Sequence, residues 1–336
     1  MPQAQLAQPA KLPGFENNTR LRKKYLATQV RPTGGGLSSP TLAISKVGLL
    51  KGIHLDITGT ISSAGLSNLN ALGKSSIIKR VTVRVNNGNV LFSMSGPGYH
   101  YLLRDNLDGY FNPFPGSDAR SAVATGAYNV SMYIPLMLNE HDAKGLIMLQ
   151  NEGTLLTLEI DWESDANIAT GISSMTGNAV PTLEFFNLPK DQTDWPNIFL
   201  LHSIIEDQLP ISATSGDIVY PWPKGNVFLA MYHGYGFGVS GADSWTRAAL
   251  RANQTDFLED WLPAYADYVW ANNHPTTRPA GTFAFDLIGS SGLGAFGGAR
   301  DQIDSAFAAE INSVVTINAA KTLYSVRRML IPAVYP

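Results

Sequence analysis

The segment RVTVRVNNGNVLFSM (residues 80–94) indicates what kind of fold this chain adopts. Valines occupy every second position from 81 to 85 and alternate with arginine and threonine, which is the period of a strand with one buried face. The pair Asn87-Gly88 follows, and it favours a type I′ turn because both central residues of that turn need a positive φ. The apolar run after the turn predicts the second strand of an antiparallel hairpin.

Segments of the same kind recur through the rest of the chain. They are HLDITGTI (54–61), TLLTLEIDW (154–162), NIFLLHSII (197–205), NVFLAMYH (226–233), GTFAFDLI (281–288) and SVVTIN (313–318). Apolar residues at helical spacing over 257–269 predict one helical interruption, which Pro263 breaks or restarts. Because the strands are short and do not alternate regularly with helices, they favour two antiparallel sandwiches or jelly rolls.

The chain divides into three parts by composition. Residues 1–40 hold six basic residues against one acid, and glycines 34–36 break any regular structure there. The basic residues include Arg20, Arg22, Lys23, Lys24 and Arg31. This pattern predicts a basic N-terminal arm with a short helix around 21–30, and a disordered solubilising tail is the alternative. The polar segment KDQTDWPN (190–197) predicts a seam between a first domain, 41–190, and a second, 191–336.

The overall composition restricts the function more than the motifs do. Only 15% of the residues are charged, against ~25% in ordinary soluble domains. A weakly charged surface is expected where neighbouring subunits cover it, or in a loop-rich extracellular β protein. The net charge of −3 argues against nucleic-acid binding by bulk electrostatics, and the absence of cysteine excludes disulfide and thiolate chemistry. No targeting segment is visible, and no apolar run approaches the ~20 residues that cross a bilayer.

Motifs for ligand binding or catalysis are weak. The segment NLNALGKSS (68–76) nearly matches a phosphate-binding loop. However, Asn68 stands where the first glycine should be, and an alternating β segment follows, so we predict a turn before a strand. The histidines lack metal-ligand spacing, and no Gly-x-Ser-x-Gly elbow occurs. We therefore predict no catalytic residue, no metal site and no cofactor.

Clustered carboxylates leave one enzymatic alternative open. The clusters are Glu159, Asp161 and Glu163, and Glu259 with Asp260. A glycosidase pair would need two such groups close together in space, which sequence does not show. The polar run at 139–142 is explained without chemistry, since Asn139 suits a helix N-cap and Gly145 suits the exit of a single capped turn.

Two regions resemble a known family. The series YIPL (133–136), GLIMLQ (145–150) and LLTLEIDW (155–162) resembles the first sandwich of the double jelly-roll major capsid proteins of tailless icosahedral bacteriophages, most of which have an internal membrane. The segment GTFAFDLIGSSG with ARDQIDSAFAAEINSVVTI (281–317) resembles the last part of their second jelly roll. The motifs are short, and the resemblance in layout covers residues 41–336.

The resemblance implies an all-β fold of two side-by-side eight-stranded jelly rolls with helical and loop insertions and an N-terminal arm. It also implies a structural, non-enzymatic protein of the virion capsid, assembled in the host cytoplasm. Homotrimers with a pseudo-hexagonal outline would tile an icosahedral shell and contact penton and minor capsid proteins, without sequence-specific nucleic-acid binding. The arm, with Arg20, Arg22, Lys23, Lys24 and Arg31, would face the interior and an internal lipid membrane or brace neighbouring capsomers.

A binding protein is the alternative from a different class. A two-domain β-sandwich that binds carbohydrate or a receptor would present aromatic side chains on its surface. Trp222, Tyr232 and Tyr235 in the second half are the candidates for such a surface.

Overall fold

The computed structural model describes residues 19–33, 38–63, 65, 68–86, 88–106, 119–138, 144–190, 195–196, 198–236, 243–253, 256–273, 277–287, 303–306 and 309–332. The strands of the first half are β1 (Leu21–Tyr25), β2 (Gln29–Val30), β3 (Leu42–Ala43), β4 (Leu49–Ser63), β5 (Ile78–Val85), β6 (Asn89–Met94), β7 (Gly126–Asn129), β8 (Met132–Pro135), β9 (Ile147–Met148), β10 (Leu156–Trp162) and β11 (Ile172–Phe186). Those of the second half are β12 (Leu200–Pro210), β13 (Gly216–Pro221), β14 (Val227–Tyr235), β15 (Trp245–Ala252), β16 (Asp256–Trp261), β17 (Thr282–Asp286), β18 (Ile303–Asp304), β19 (Ile311–Ile317) and β20 (Thr322–Pro332).

Helices are short and lie between strands. They are a 3-10 helix at Gly73–Ile77, α1 (Gly96–Gly98) continued by a π-helical turn at Tyr99–Leu103 and a 3-10 turn at Arg104–Asn106, α2 (Asp165–Ile168) and α3 (Pro263–Asn273). None of the described helices is long and apolar enough to cross a membrane.

Three sheets organise the described strands into two sandwiches. In the first half, a seven-stranded sheet has the order β1-β11-β4-β7. In the same sheet, β2 also pairs with β11, and β8 and β9 also pair with β4. A nine-stranded sheet runs β17-β14-β20-β12-β6-β5-β10-β3, with β18 on β14. A four-stranded sheet, β13-β19-β15-β16, forms the other sheet of the second half.

The core of each sandwich follows from the period-2 pattern. On β10, Leu158, Ile160 and Trp162 are each at most 1% exposed, whereas Glu159 and Asp161 between them stay partly exposed. Burying each of these large apolar side chains stabilises the fold by about 1.5–3 kcal/mol. A separate apolar cluster, which includes Trp245 and Phe283, forms the core of the second sandwich. The alternation read from the sequence therefore predicted the correct inward faces.

The two sandwiches share a sheet. Strands β6 and β12 pair in parallel, with Phe92 opposite Ile204 and Ser93 opposite Ile205. This pairing makes the nine-stranded sheet continuous from the first half into the second. Of the segment 190–197, which we predicted as a seam, residues 191–194 and 197 lie outside the described residues; in the chain the segment comes after the end of β11 and before the start of β12.

One local prediction was wrong and another is confirmed only in part, both where strand pairing overrides local preference. The helix predicted around 21–30 is instead strands β1 and β2, because the edge of β11 supplies backbone hydrogen-bond partners to both. The helical pattern predicted over 257–269 holds only from Pro263, the first residue of α3, since proline is accepted at the first helical position. Residues 256–261 form β16, which pairs with β15.

Two other local predictions agree with the structure. The hairpin of β5 and β6 is present, with Asn86 at a φ of 52°, while Asn87 lies outside the described residues. Residues 73–77 form the 3-10 helix that leads directly into β5, so the near match to a phosphate-binding loop is a turn before a strand.

Candidate functional site

Strand β1 carries most of the basic residues predicted for the arm. It pairs antiparallel with β11, from Leu21 opposite Phe186 to Tyr25 opposite Thr182, and forms the edge of the seven-stranded sheet. All five of its side chains are exposed, and so is the preceding Arg20. The structure thus brings Arg20, Arg22, Lys23 and Lys24 together along one sheet edge.

Glu184 on β11 is the buried partner of this edge strand. Its carboxylate lies 2.9 Å from Nζ of Lys23 and 3.1 Å from Nε2 of His54. Glu184 itself is only 6% exposed. Nothing in the sequence pattern singled out Glu184, because its partners come from two other strands.

Two effects act on the pKa of Glu184 in opposite directions. Burial by itself raises this pKa, but the hydrogen bonds and charges of His54 and Lys23 outweigh burial and lower the pKa from 4.5 to about 2. A carboxyl with a lowered folded-state pKa stabilises the fold above its unfolded pKa. This contribution is lost as the pH falls from about 4.5 through about 2.

We expect Glu184→Gln to lower the free energy of unfolding at pH 7 by about 1–2 kcal/mol, because a charge-assisted contact is removed from a buried site. The difference from the wild type should shrink as the pH falls below 4.5. Denaturant unfolding between pH 7 and pH 3 measures both quantities. Glu159→Gln is the matched control, since Glu159 is 36% exposed and lies 3.6 Å from Arg84. A difference that stays constant with pH would contradict the assignment.

Arg31 does not share the exposed basic edge, although we predicted it as part of the arm. Its side chain is 2% exposed, and Nη2 donates to Oδ1 of Asp165 at 2.5 Å and to the Glu163 carbonyl at 2.9 Å. Nη1 donates to the carbonyl of Met175 at 3.2 Å. Arg31 therefore anchors the chain to the first sandwich and is not available to a partner.

Glu206 of β12 forms one connection across the junction between the sandwiches. Its carboxylate accepts hydrogen bonds from the backbone N–H of Ser95 at 2.6 Å, from the Ser95 hydroxyl at 2.8 Å and from Gln208 at 2.6 Å. Burial raises the pKa of Glu206. Gly98 leaves room for this carboxylate, because a Cβ at that position would lie 2.2 Å from Oε2.

Arg328 of β20 forms a second connection. Its Nε donates to Nε2 of His202 at 2.9 Å, and its Nη2 donates to the carbonyl of Leu138 in the first half at 2.9 Å. Arg328 is 2% exposed and His202 is 1% exposed. Burial, followed by the charge of Arg328, lowers the pKa of His202 well below its usual value, so the imidazole is neutral and can accept this bond.

The predicted carboxylate clusters have structural partners. Asp161 accepts from the Ser38 hydroxyl, Glu163 accepts from Asn167, and Glu259 accepts from Trp261. Asp260 forms a two-bond ion pair with Arg247 at 2.8 and 2.6 Å. Within the described residues, no group of three or more potential ligands is placed to hold a metal ion. Of the run 139–142, every residue lies outside the described residues.

Buried histidines in both halves are structural. His233 is fully buried and hydrogen-bonds to Ser313 at 2.8 Å and to Ser325 at 2.9 Å. Burial lowers the pKa of His233 to about 3, and burial together with Arg104 lowers that of His100 to about 3. Both rings are therefore neutral packing groups at physiological pH.

The aromatic surface suggested for a carbohydrate- or receptor-binding protein does not exist at the predicted residues. Trp222 is 4% exposed, and Tyr232 and Tyr235 are each 0% exposed. Trp222 packs against Phe228, with 4.7 Å between their ring centroids. These residues belong to apolar cores because they lie on or beside β14, a strand that is buried along most of its length.

Comparison with solved structures identifies the fold as a double jelly roll. No protein-family model matches the sequence, and no curated protein matches it significantly. The crystal structure of the STIV MCP is similar with a TM-score of 0.69 and 14% identity, over 94% of this chain and 98% of that chain. PBCV-1 VP54 is similar with a TM-score of 0.65 and 9% identity, over 93% and 94%.

The major capsid protein P2 from bacteriophage PM2 is similar with a TM-score of 0.53 and 11% identity, over 94% of this chain and 98% of that chain. These similar structures are double jelly-roll major capsid proteins of icosahedral viruses. They include proteins of archaeal and eukaryotic viruses, so the structural similarity extends beyond the tailless bacteriophages to which the sequence segments pointed.

Proposed function

We propose that this chain is a structural major capsid protein, located in the virion shell, with no catalytic activity. The observation that carries the proposal is the double jelly roll itself, which aligns end to end with the STIV MCP, over 94% and 98% of the two chains. Copies of the chain form homotrimers, in which six sandwiches give a pseudo-hexagonal outline. Such trimers tile an icosahedral lattice, with penton and minor capsid proteins completing the shell.

Surface chemistry supports assembly through the sides of the molecule. The charged fraction of 15% leaves few groups to desolvate when neighbouring copies meet. On and beside α3, Leu262, Tyr265 and Tyr268 are 60%, 48% and 63% exposed, which gives the second half an apolar patch suited to a subunit contact. Sheet edges such as β1 and β16 also need cover, which a packed lattice provides.

The basic edge strand suits the inner face of the shell. Arg20, Arg22, Lys23 and Lys24 are exposed and near one another in the chain. An anionic lipid surface beneath the shell would attract Arg20, Arg22 and Lys24 by ~1 kcal/mol each, and Lys23 less, because its ammonium is paired with Glu184. Arg31 takes no part in this contact, because its guanidinium is buried.

We expect the purified protein to have a mass of about three times 36.3 kDa by light scattering and a six-lobed outline by negative-stain electron microscopy. Leu262→Ser/Tyr268→Ser tests the apolar patch and should weaken association between trimers. Leu155→Ser, at another exposed apolar position, is the control. A monodisperse monomer at every concentration would contradict the proposed function.

A further inference from the structure

We propose that β1 is exchanged between neighbouring copies, so that the β11 edge at Thr182–Phe186 accepts β1 of a second copy in place of its own. The inference rests on the proposed function, because exchange requires copies to lie side by side. The acceptor is this sheet edge, and the partner is the extended basic strand β1 of a second copy.

Strand β1 is held in a way that permits exchange. All five side chains are exposed, with Leu21 at 44% and Tyr25 at 76%, so the strand buries little apolar surface where it lies. What holds it is its backbone pairing with β11, the ion pair between Lys23 and Glu184, and the following Leu26, which is hydrogen-bonded to the Pro181 carbonyl and packs against the first apolar core. A second copy would supply the same backbone bonds and the same ion pair, so exchange costs no contact that is not regained.

The chain has a fixed anchor shortly after the exchangeable strand. Strand β2 pairs with β11 through Gln29 and Val30, and Arg31 is locked in place by its three side-chain hydrogen bonds. Leu26 belongs with β1, because its N–H donates to the Pro181 carbonyl at 2.9 Å and its side chain packs against the first apolar core, so residues 27 and 28 serve as the hinge. Fully extended, the three steps from Leu26 to Gln29 reach about 10 Å, so the acceptor edge must lie within roughly that distance of the donor's Gln29.

The acceptor edge selects this strand and its register. When β1 leaves, β11 keeps a row of unsatisfied backbone groups, and Glu184, which is 6% exposed with β1 in place, loses Lys23. Both losses destabilise the β11 edge when no strand is paired with it, so another strand is expected to pair there. A cation opposite Glu184 is required for a good fit, and β1 presents Lys23 at that position of the ladder. Charge complementarity thus favours the equivalent strand of a second copy over an unrelated one.

Cross-linking tests the exchange, and the natural chain offers a clean background because it contains no cysteine. Tyr25 and Thr182 are direct partners across the ladder, within the distance a disulfide spans. We would mix a tagged Tyr25→Cys chain with an untagged Thr182→Cys chain, allow assembly, oxidise, and separate the products under non-reducing conditions. A covalent heterodimer is expected. Tyr25→Cys mixed with Leu209→Cys, at an exposed position of the second half, controls for chance collisions.

Charge reversal makes the test specific. Adding Lys23→Glu to the Tyr25→Cys chain should reduce the heterodimer by about tenfold or more, because it sets two carboxylates opposite each other. Adding Glu184→Lys to the acceptor chain should restore the heterodimer. The double variant Tyr25→Cys/Thr182→Cys reports pairing within one chain.

The outcomes separate the exchange from the function on which it rests, because light scattering and microscopy are applied to the same mixtures. Assembled particles that yield intrachain links alone would overturn the exchange and leave the proposed function intact. Absence of any self-association would overturn both. A heterodimer no more abundant than in the Leu209→Cys control would also overturn the exchange.

Discussion

Replacing Arg328 with alanine is expected to lower the free energy of unfolding by about 3–5 kcal/mol. The change removes the donors to His202 and to the Leu138 carbonyl, both at 2.9 Å, and leaves these buried acceptors without a partner. It also leaves a cavity at a position that is 2% exposed. Because Leu138 belongs to the first half and Arg328 to the second, the loss weakens the junction between the sandwiches.

The neighbouring residue on the same strand provides a matched control. The side chain of Arg327 is 17% exposed and pairs with Asp207, whose side chain is 40% exposed, so Arg327→Ala should cost about 1–2 kcal/mol, less than the loss of the buried Arg328. Denaturant unfolding followed by tryptophan fluorescence reports on both halves, since Trp162 lies in the first and Trp245 in the second. If Arg328→Ala and Arg327→Ala differ by less than 1 kcal/mol, the role assigned to Arg328 is incorrect.

Gly145→Ala is expected to destabilise the same junction by roughly 3–5 kcal/mol, as two costs add. Gly145 has a φ of 92°, which an L side chain rarely adopts. A Cβ there would lie 2.2 Å from the Leu136 carbonyl oxygen and 2.8 Å from Cβ of His202. Neither neighbour can move easily, because one is backbone and the other is fixed by Arg328.

Gly171→Ala separates the two costs. Gly171 has a φ of 100°, but a Cβ there would meet nothing within 4 Å. That variant should therefore show only the conformational cost, about 1–2 kcal/mol. If Gly145→Ala and Gly171→Ala lose equal thermal and denaturant stability, the close approach of Gly145 to His202 does not contribute to the loss.

The basic character of the edge strand was predictable, but its environment was not. Arg20, Arg22, Lys23 and Lys24 stood out by charge alone, and the structure shows all four exposed. Arg31 belongs to the same charged run and yet is buried, because Asp165 and two carbonyls from elsewhere in the fold surround it. Sequence gives a side chain's charge, whereas burial depends on which distant segments pack around it.

Aromatic residues illustrate the same limit. Trp222, Tyr232 and Tyr235 suggested an exposed binding surface, but they fill apolar cores because β14 lies in the interior of the nine-stranded sheet. Glu184, Glu206 and Arg328 were not predicted as important, because one or two charged residues within a strand form no ligand or catalytic spacing pattern. Their roles come from partners on other strands.

By itself, the sequence determined the β class of this protein, several of its strands, the hairpin at 80–94 and its low charged fraction. These properties are local, since a side chain's place in the period-2 pattern follows from backbone geometry over a few residues. Only the tertiary structure decided that residues 21–25 form an edge strand, that β6 and β12 join the two sandwiches, and that Glu206 and Arg328 secure the junction. Those choices depend on which strand edges meet, and that is set by contacts between residues far apart in the chain.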